Sequence, residues 1–302
     1  MNNPRLTPPI AKIVLWITGL HVSVGLGLSV IWLITKDESW IRYYFDYQTP
    51  VFFISFAGLE VYFSLVAIFQ FSAGETMRKA WCFIALAALL RLIGLTIAYL
   101  LSIKSFLNPA FVLADSWNNS RAMGLHQMGL AISGPIHMAV LACGLYVVLK
   151  ISRRFKMLAQ LKRIDYFLIA IVGLFTLWHV YEIVTGLPIS KSPITVETFL
   201  QWITDPLLSI LLLEAILIRR CVLNLGWDYI AKCWGAFTTA IFITSLGNIS
   251  IWASTNQYLP WPASLITWYI WFLASAAYVL GPAYQVEASY RTKASLSSGQ
   301  AA

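Results

Sequence analysis

Apolar residues run along this chain in stretches of about twenty, broken by short polar segments, and no stretch alternates with the two-residue period of a strand. A helix rises about 1.5 Å per residue, so each stretch can cross a hydrocarbon core of roughly 30 Å. The pattern predicts eight transmembrane helices, at about residues 10–35, 50–71, 80–103, 128–149, 165–186, 203–221, 230–253 and 263–285. An outer-membrane barrel would show short stretches of alternating polarity instead. The first apolar run continues to Ile34 with no small-x-small cleavage site behind it, which reads as a retained span and not a cleaved leader. The expected fold is therefore an all-α integral membrane protein.

Composition agrees with this pattern. Of 302 residues, 59% are hydrophobic and 11% charged, against roughly 45–50% and 25% in soluble domains, which excludes a soluble enzyme. The net charge of +8 would suggest nucleic acid in a soluble chain. Here the basic residues sit between apolar spans, so the expected partner is the lipid bilayer and no nucleic acid. Counted by side, fifteen of the 21 Lys and Arg residues fall with the amino terminus, five fall opposite, and Arg91 lies inside a span. The positive-inside rule then predicts both termini in the cytoplasm of a bacterial-type inner membrane. The strongest anchor is the basic segment that includes Arg153, Arg154, Lys156, Lys162 and Arg163. The longest outer connection runs from Lys104 to Gln127 and is rich in turn formers such as Asn108, Pro109 and Asn118; it could cap an outward-facing cavity. The four cysteines form no CxxC pair and read as small buried hydrophobes.

The two halves of the chain resemble each other. Ile13–Val22 matches 171–180 at an offset of 158, with His21 against His179, and SxxxLE recurs as Ser55, Leu59, Glu60 and Ser209, Leu213, Glu214 at an offset of 154. Lys79 and Trp81 match Lys232 and Trp234 at an offset of 153, followed by Ala87/Ala240 and Gly94/Gly247. The fourth pair of spans aligns at an offset of 138 through Tyr146/Tyr284, Val148/Val286 and Arg153/Arg291. Four spans per copy is an even number, so the copies enter the membrane in the same direction, related by an axis along its normal. The expected organisation is a first four-helix repeat (1–150), a basic cytoplasmic linker (151–164), a second repeat (165–287) and a disordered cytoplasmic tail (288–302). In this arrangement His21 should face His179, and Glu60 should face Glu214.

Candidate chemistry concentrates in mid-membrane. His21, Glu60, Arg91 and His137 each lie roughly 16–18 Å along their helices from the cytoplasmic end, His179 at roughly 21 Å and Glu214 at about 10 Å. Ionisable groups at such depth cost at least about 2.5–3.5 kcal/mol each unless they face the bundle interior and find partners. Glu60 and Arg91, on consecutive spans at one depth, form the expected ion pair. The position matching Arg91 is Thr244, and the one matching His137 is Ser275, so a shared site would break its own symmetry. Glu182, Asp205 and Asn248 form a second layer nearer the outside; Glu182 shares a helical face with His179, and Asp205, just before Pro206, also suits a helix cap.

These residues point first to a transporter or permease-like protein for a small molecule or ion. In it Glu60 and Glu214 carry protons or bind a cation, the histidines titrate or ligate, and Arg91 holds an anionic group or neutralises Glu60. A membrane redox subunit with haem b or a quinone is the second expectation, since His21, His137 and His179 are candidate haem or metal ligands and haem b needs two that face each other. A sensor or assembly module for a lipophilic ligand is the third. A homo-oligomer or a place in a membrane complex is compatible with each. No catalytic residue is assigned: GxSxG, HExxH and nucleotide-binding motifs are missing from the sequence. Most Trp and Tyr residues, including Trp40, Trp202, Trp268 and Tyr269, read as interfacial belts.

Overall fold

In lipid every backbone N–H and C=O must be satisfied within the chain, and long apolar segments do this as helices. The computed structural model describes residues 10–37, 39–101, 120–154, 161–189, 196–224, 228–255 and 265–299, which are almost entirely helical and contain no strand. Helix α1 spans Ile10–Thr35 and is followed by a short α2, Ser39–Tyr43, which the apolar pattern did not predict. Next come α3 (Thr49–Ile68), α4 (Thr76–Leu95, continued by a wider π-turn segment to Leu101) and α5 (Ser120–Ala131). The remaining helices are α6 (His137–Arg154), α7 (Arg163–Ile189), α8 (Val196–Asn224), α9 (Asp228–Thr255) and α10 (Ile266–Gly299). Among the described residues six stretches are long and apolar enough to cross a membrane: α1, α3, α4, the α5–α6 unit from His126, α9, and α10 as far as Arg291. The fifth and sixth expected spans are helical too, as α7 and α8, but fall outside those six. Helix α8 carries Asp205, Glu214, Arg219 and Arg220 within sixteen residues.

Two expectations change. The segment after Glu287, expected to be disordered, continues α10 as helix to Gly299. Its Ala, Arg and Lys residues favour helix, and Ser289 donates to Gln70 of the chain just after α3 at 2.6 Å, tying the extension to the bundle. The outer connection also becomes helical earlier than expected, at Ser120, while residues 102–119 lie outside the described residues.

The principal helices pack in a closed order. Helix α3 lies against α4, α4 against α6, α6 against α8, α8 against α9, α9 against α10, and α10 returns to α3. Small residues permit this closeness: Ala80, Ala87, Ala88 and Ala98 on the α4 segment, and Ala274, Ala276, Ala277 and Ala283 on α10, are all buried. One crossing depends on glycine. A Cβ on Gly94 would lie 2.4 Å from the Ser133 nitrogen, and one on Gly129 would lie 2.4 Å from the Ala98 nitrogen, so the two backbones touch there. Trp81 of α4 and Trp234 of α9, both fully buried, meet with ring centroids 6.1 Å apart.

Helices α1 and α7 lie outside this ring. Helix α1 packs on α10, where Glu287 accepts a hydrogen bond from the Ala11 N–H (2.8 Å) and the Ser29 hydroxyl meets that of Tyr269 (2.9 Å). A carboxylate at a helix amino terminus also satisfies one of its unpaired N–H groups. Helix α7 packs on α8, where the buried pair Asp165–Arg220 closes at 2.6 Å. Most of α1 is exposed apolar surface, with Trp16 79% and Leu20 68% accessible, as a lipid-facing helix requires.

Candidate functional site

The candidate site grows from one buried arginine. Arg91 sits on the inner face of α4, three residues before the Gly94 crossing, and is 7% exposed. Its Nη1 donates to Glu60 Oε2 of α3 at 2.6 Å, its Nη2 donates to Ser275 Oγ of α10 at 2.8 Å, and its guanidinium carbon lies 4.6 Å from the centre of the Tyr278 ring. Two helices, α3 and α10, therefore hold the guanidinium that α4 carries, and the expected Glu60–Arg91 pair is formed. The pair neutralises two charges whose separate burial would be costly.

Arg91 borders a cavity of about 430 Å³ inside the ring of helices. Its inner end is polar, with Arg91, His137, Thr244, Ser275 and Tyr278. Its walls are mostly aromatic and apolar: Phe53, Leu95, Tyr99, Leu130, Trp268 and Trp271. Thr204, Asn248 and Thr267 add polar groups farther along. Glu60 stands behind Arg91 and does not border the space.

A break in the chain shapes one wall. Between α5 and α6 the segment Ile132–Ile136 contains Pro135, and Gly134 has φ −98° and ψ −105°, outside helical geometry. Proline lacks the N–H needed to continue the ladder, and irregular backbone at membrane depth is tolerated where it lines a cavity. Ser133, Gly134 and His137 all border the space from this kink. His137 is 2% exposed, its ring meets Tyr278 edge-on at 5.9 Å, and it lies within reach of the backbone carbonyls of Ser133 and Gly134 in the kink.

The other expected site residues divide between this cavity and places apart from it. Asp205 is 2% exposed and accepts a hydrogen bond from Asn248 Nδ2 at 3.0 Å, so it orients a cavity residue from behind. It is not a helix cap, because α8 begins nine residues earlier, at Val196. Glu214 is 9% exposed on α8, away from the cavity lining, and its Oε2 has no hydrogen-bond partner among the described residues. His21 lies between α1, α3 and α10, stacked on Phe52 (4.1 Å), edge-on to Phe272 (4.4 Å) and hydrogen-bonded through Nδ1 to the Tyr44 hydroxyl (2.8 Å). The side chains of His179 and Glu182 lie outside the described residues.

The facing pairs expected across an axis are replaced by local partners. Helices α1 and α7 pack on different members of the ring; His21 meets Tyr44, Phe52 and Phe272, and Glu60 meets Arg91 and not Glu214. The two-imidazole arrangement haem b requires is not built from His21 and His137, which occupy separate surroundings, one on α1 and one in the cavity. Among the described residues no three His, Cys, Asp or Glu side chains group closely enough to hold a metal ion. Sequence reasoning missed the aromatic walls. Trp268, read as part of an interfacial belt, lines the cavity, as do Trp271 and Tyr278; only packing distinguishes a tryptophan turned inward from one at the headgroups.

Together these features describe an all-helical protein with, among the described residues, six helices long and apolar enough to cross a membrane, and a cavity bordered by a restrained arginine and a buried histidine. Compared with known proteins, the chain matches no family model, no curated protein and no solved structure.

Proposed function

We propose that this chain is a transporter or permease-like protein of a bacterial-type inner membrane, with eight spans in two parallel four-helix repeats, both termini cytoplasmic, and its substrate site in the central cavity. The observation that carries the reading is the cavity: a space within the ring of helices bordered by Arg91, whose counter-charge Glu60 stands outside the lining. Transporters of repeated topology place substrate sites at the repeat interface and use broken helices to build them. The kink at Gly134 and Pro135 is such a break.

Packing agrees with the duplication read from the alignment. Advancing each helix by one repeat turns the order α3, α4, α6 into α8, α9, α10 and leaves the ring order unchanged. Matched residues also make matched contacts. Gly94 is crowded by Ser133, and its counterpart Gly247 is crowded by Trp271, which corresponds to Ser133 at the offset of 138. Trp81 and its counterpart Trp234 touch each other, as residues nearest a two-fold axis must.

The roles of the two glutamates separate in this reading. Glu60 is held by Arg91 and sets its charge and position. Glu214, in whose repeat Thr244 takes the place of Arg91, has no such cation paired with it among the described residues and is the group to carry a coupling proton. The test is uptake of a panel of radiolabelled small organic anions by proteoliposomes under an imposed pH gradient. Uptake above empty vesicles, lost in Glu214→Gln with the fold intact, supports the proposal. Uptake of no member of the panel, with no proton flux into dye-loaded vesicles, overturns it.

A further inference from the structure

The geometry points to a monocarboxylate with a flat apolar body as the ligand of the central cavity, its carboxylate on Arg91 and its body between Trp268, Trp271 and Phe53. The assignment rests on the cavity being the substrate site and goes further by naming the chemical class.

Three observations carry it. Of the five guanidinium N–H donors of Arg91, one is used by Glu60 and one by Ser275, while the group borders the cavity with donors to spare. A planar guanidinium with free N–H groups matches a carboxylate, which it can bind through two parallel hydrogen bonds. His137, at the same end, is buried and borders the cavity, its ring set against the backbone carbonyls of Ser133 and Gly134, so it closes the polar end beside Arg91.

Charge restricts the ligand to one negative unit. Arg91 is the only cationic side chain lining the space among the described residues, and Glu60 already offsets it from behind. A monocarboxylate already places one negative charge beside this neutral pair, balanced when a proton enters with it, and a dianion such as a phosphate monoester would add a second, which a low-dielectric interior strongly disfavours. Size and surface restrict the rest. At about 30 Å³ for each water-sized unit, the cavity holds on the order of a dozen non-hydrogen atoms. Its walls beyond the polar end are largely aromatic, which suits a ring stacked against them. Asn248 has its amide N–H₂ directed to Asp205, which leaves its carbonyl to accept from a donor on the ligand's far side.

The test uses the full chain in lipid nanodiscs, with tryptophan fluorescence and calorimetry as readouts and benzoate, indole-3-acetate, benzamide and phenyl phosphate as probes. Benzoate or indole-3-acetate should bind at least tenfold more tightly than benzamide or phenyl phosphate. Arg91→Gln leaves Glu60 unpaired and can fail to fold, so the decisive variant is Glu60→Gln with Arg91→Gln, which removes both charges at once. It should stay folded and lose the preference for carboxylate over amide. Equal affinity for benzoate and benzamide in the wild type, no binding of either carboxylate at millimolar concentration, or an unchanged preference in the double variant overturns the assignment. Binding with no uptake in proteoliposomes keeps the ligand class and overturns transport, in favour of a sensor. Uptake of other anions without carboxylate binding does the reverse.

Discussion

The Glu60–Arg91 pair permits a quantitative prediction. Both side chains are nearly fully buried, the contact is 2.6 Å, and Arg91 also bonds Ser275 and stacks on Tyr278. Removing one member of a buried pair strands the other charge and costs about 3–5 kcal/mol. Glu60→Gln and Arg91→Gln should each destabilise the protein by that amount. The double variant strands no charge, and its two amides can bond each other. It loses chiefly the cation–ring contact, about 0.5–2 kcal/mol. The double variant should therefore be more stable than either single one, with a coupling exceeding roughly 3 kcal/mol, at or above the top of the usual range for contacting residues. Equilibrium unfolding in mixed detergent micelles, followed by circular dichroism, measures all four proteins. If Arg91→Gln does not accumulate, the comparison of Glu60→Gln with the double variant still decides. Additive single effects, or a Glu60→Gln effect within about 0.5 kcal/mol of wild type, as on an ordinary surface, would refute the reasoning.

Two further outcomes follow from the packing. Gly94→Val should lower the midpoint of thermal unfolding by the equivalent of about 1–3 kcal/mol or more, because its Cβ would sit 2.4 Å from the Ser133 nitrogen. Gly173→Ala, with open space around its Cβ position, should not lower it. Asp165→Asn should destabilise the attachment of α7 by leaving Arg220 buried without its counter-charge, and exchanging the two residues, Asp165→Arg with Arg220→Asp, should recover part of the loss in the same melting assay.

What was legible in the sequence follows from what hydropathy encodes. Helix positions could be read because lipid requires about twenty apolar residues for each crossing; α1 ends where its apolar run does, at Thr35. The Glu60–Arg91 pair could be read too, because two charges at one depth on consecutive spans have few alternatives to each other. The facing of His21 with His179 could not be read correctly. It required α1 and α7 to line the centre, and both lie outside the ring. Helices apolar on nearly every side carry little record of which face turns inward, and in lipid no hydrophobic force selects it.

The sequence by itself determined that this protein is helical, with helices long and apolar enough to cross a membrane, where its main helices lie, and which rare charges must be buried. The tertiary structure alone decided that α3, α4, α6, α8, α9 and α10 close on one another, that Trp268 and Trp271 turn inward, and that His137 and Arg91 share a cavity while His21 and Glu214 do not. The reason is that crossing a bilayer is a property of each segment taken alone. Neighbours in the bundle are chosen by close contacts such as Gly94 on Gly129 and Trp81 on Trp234, which join residues far apart in the chain.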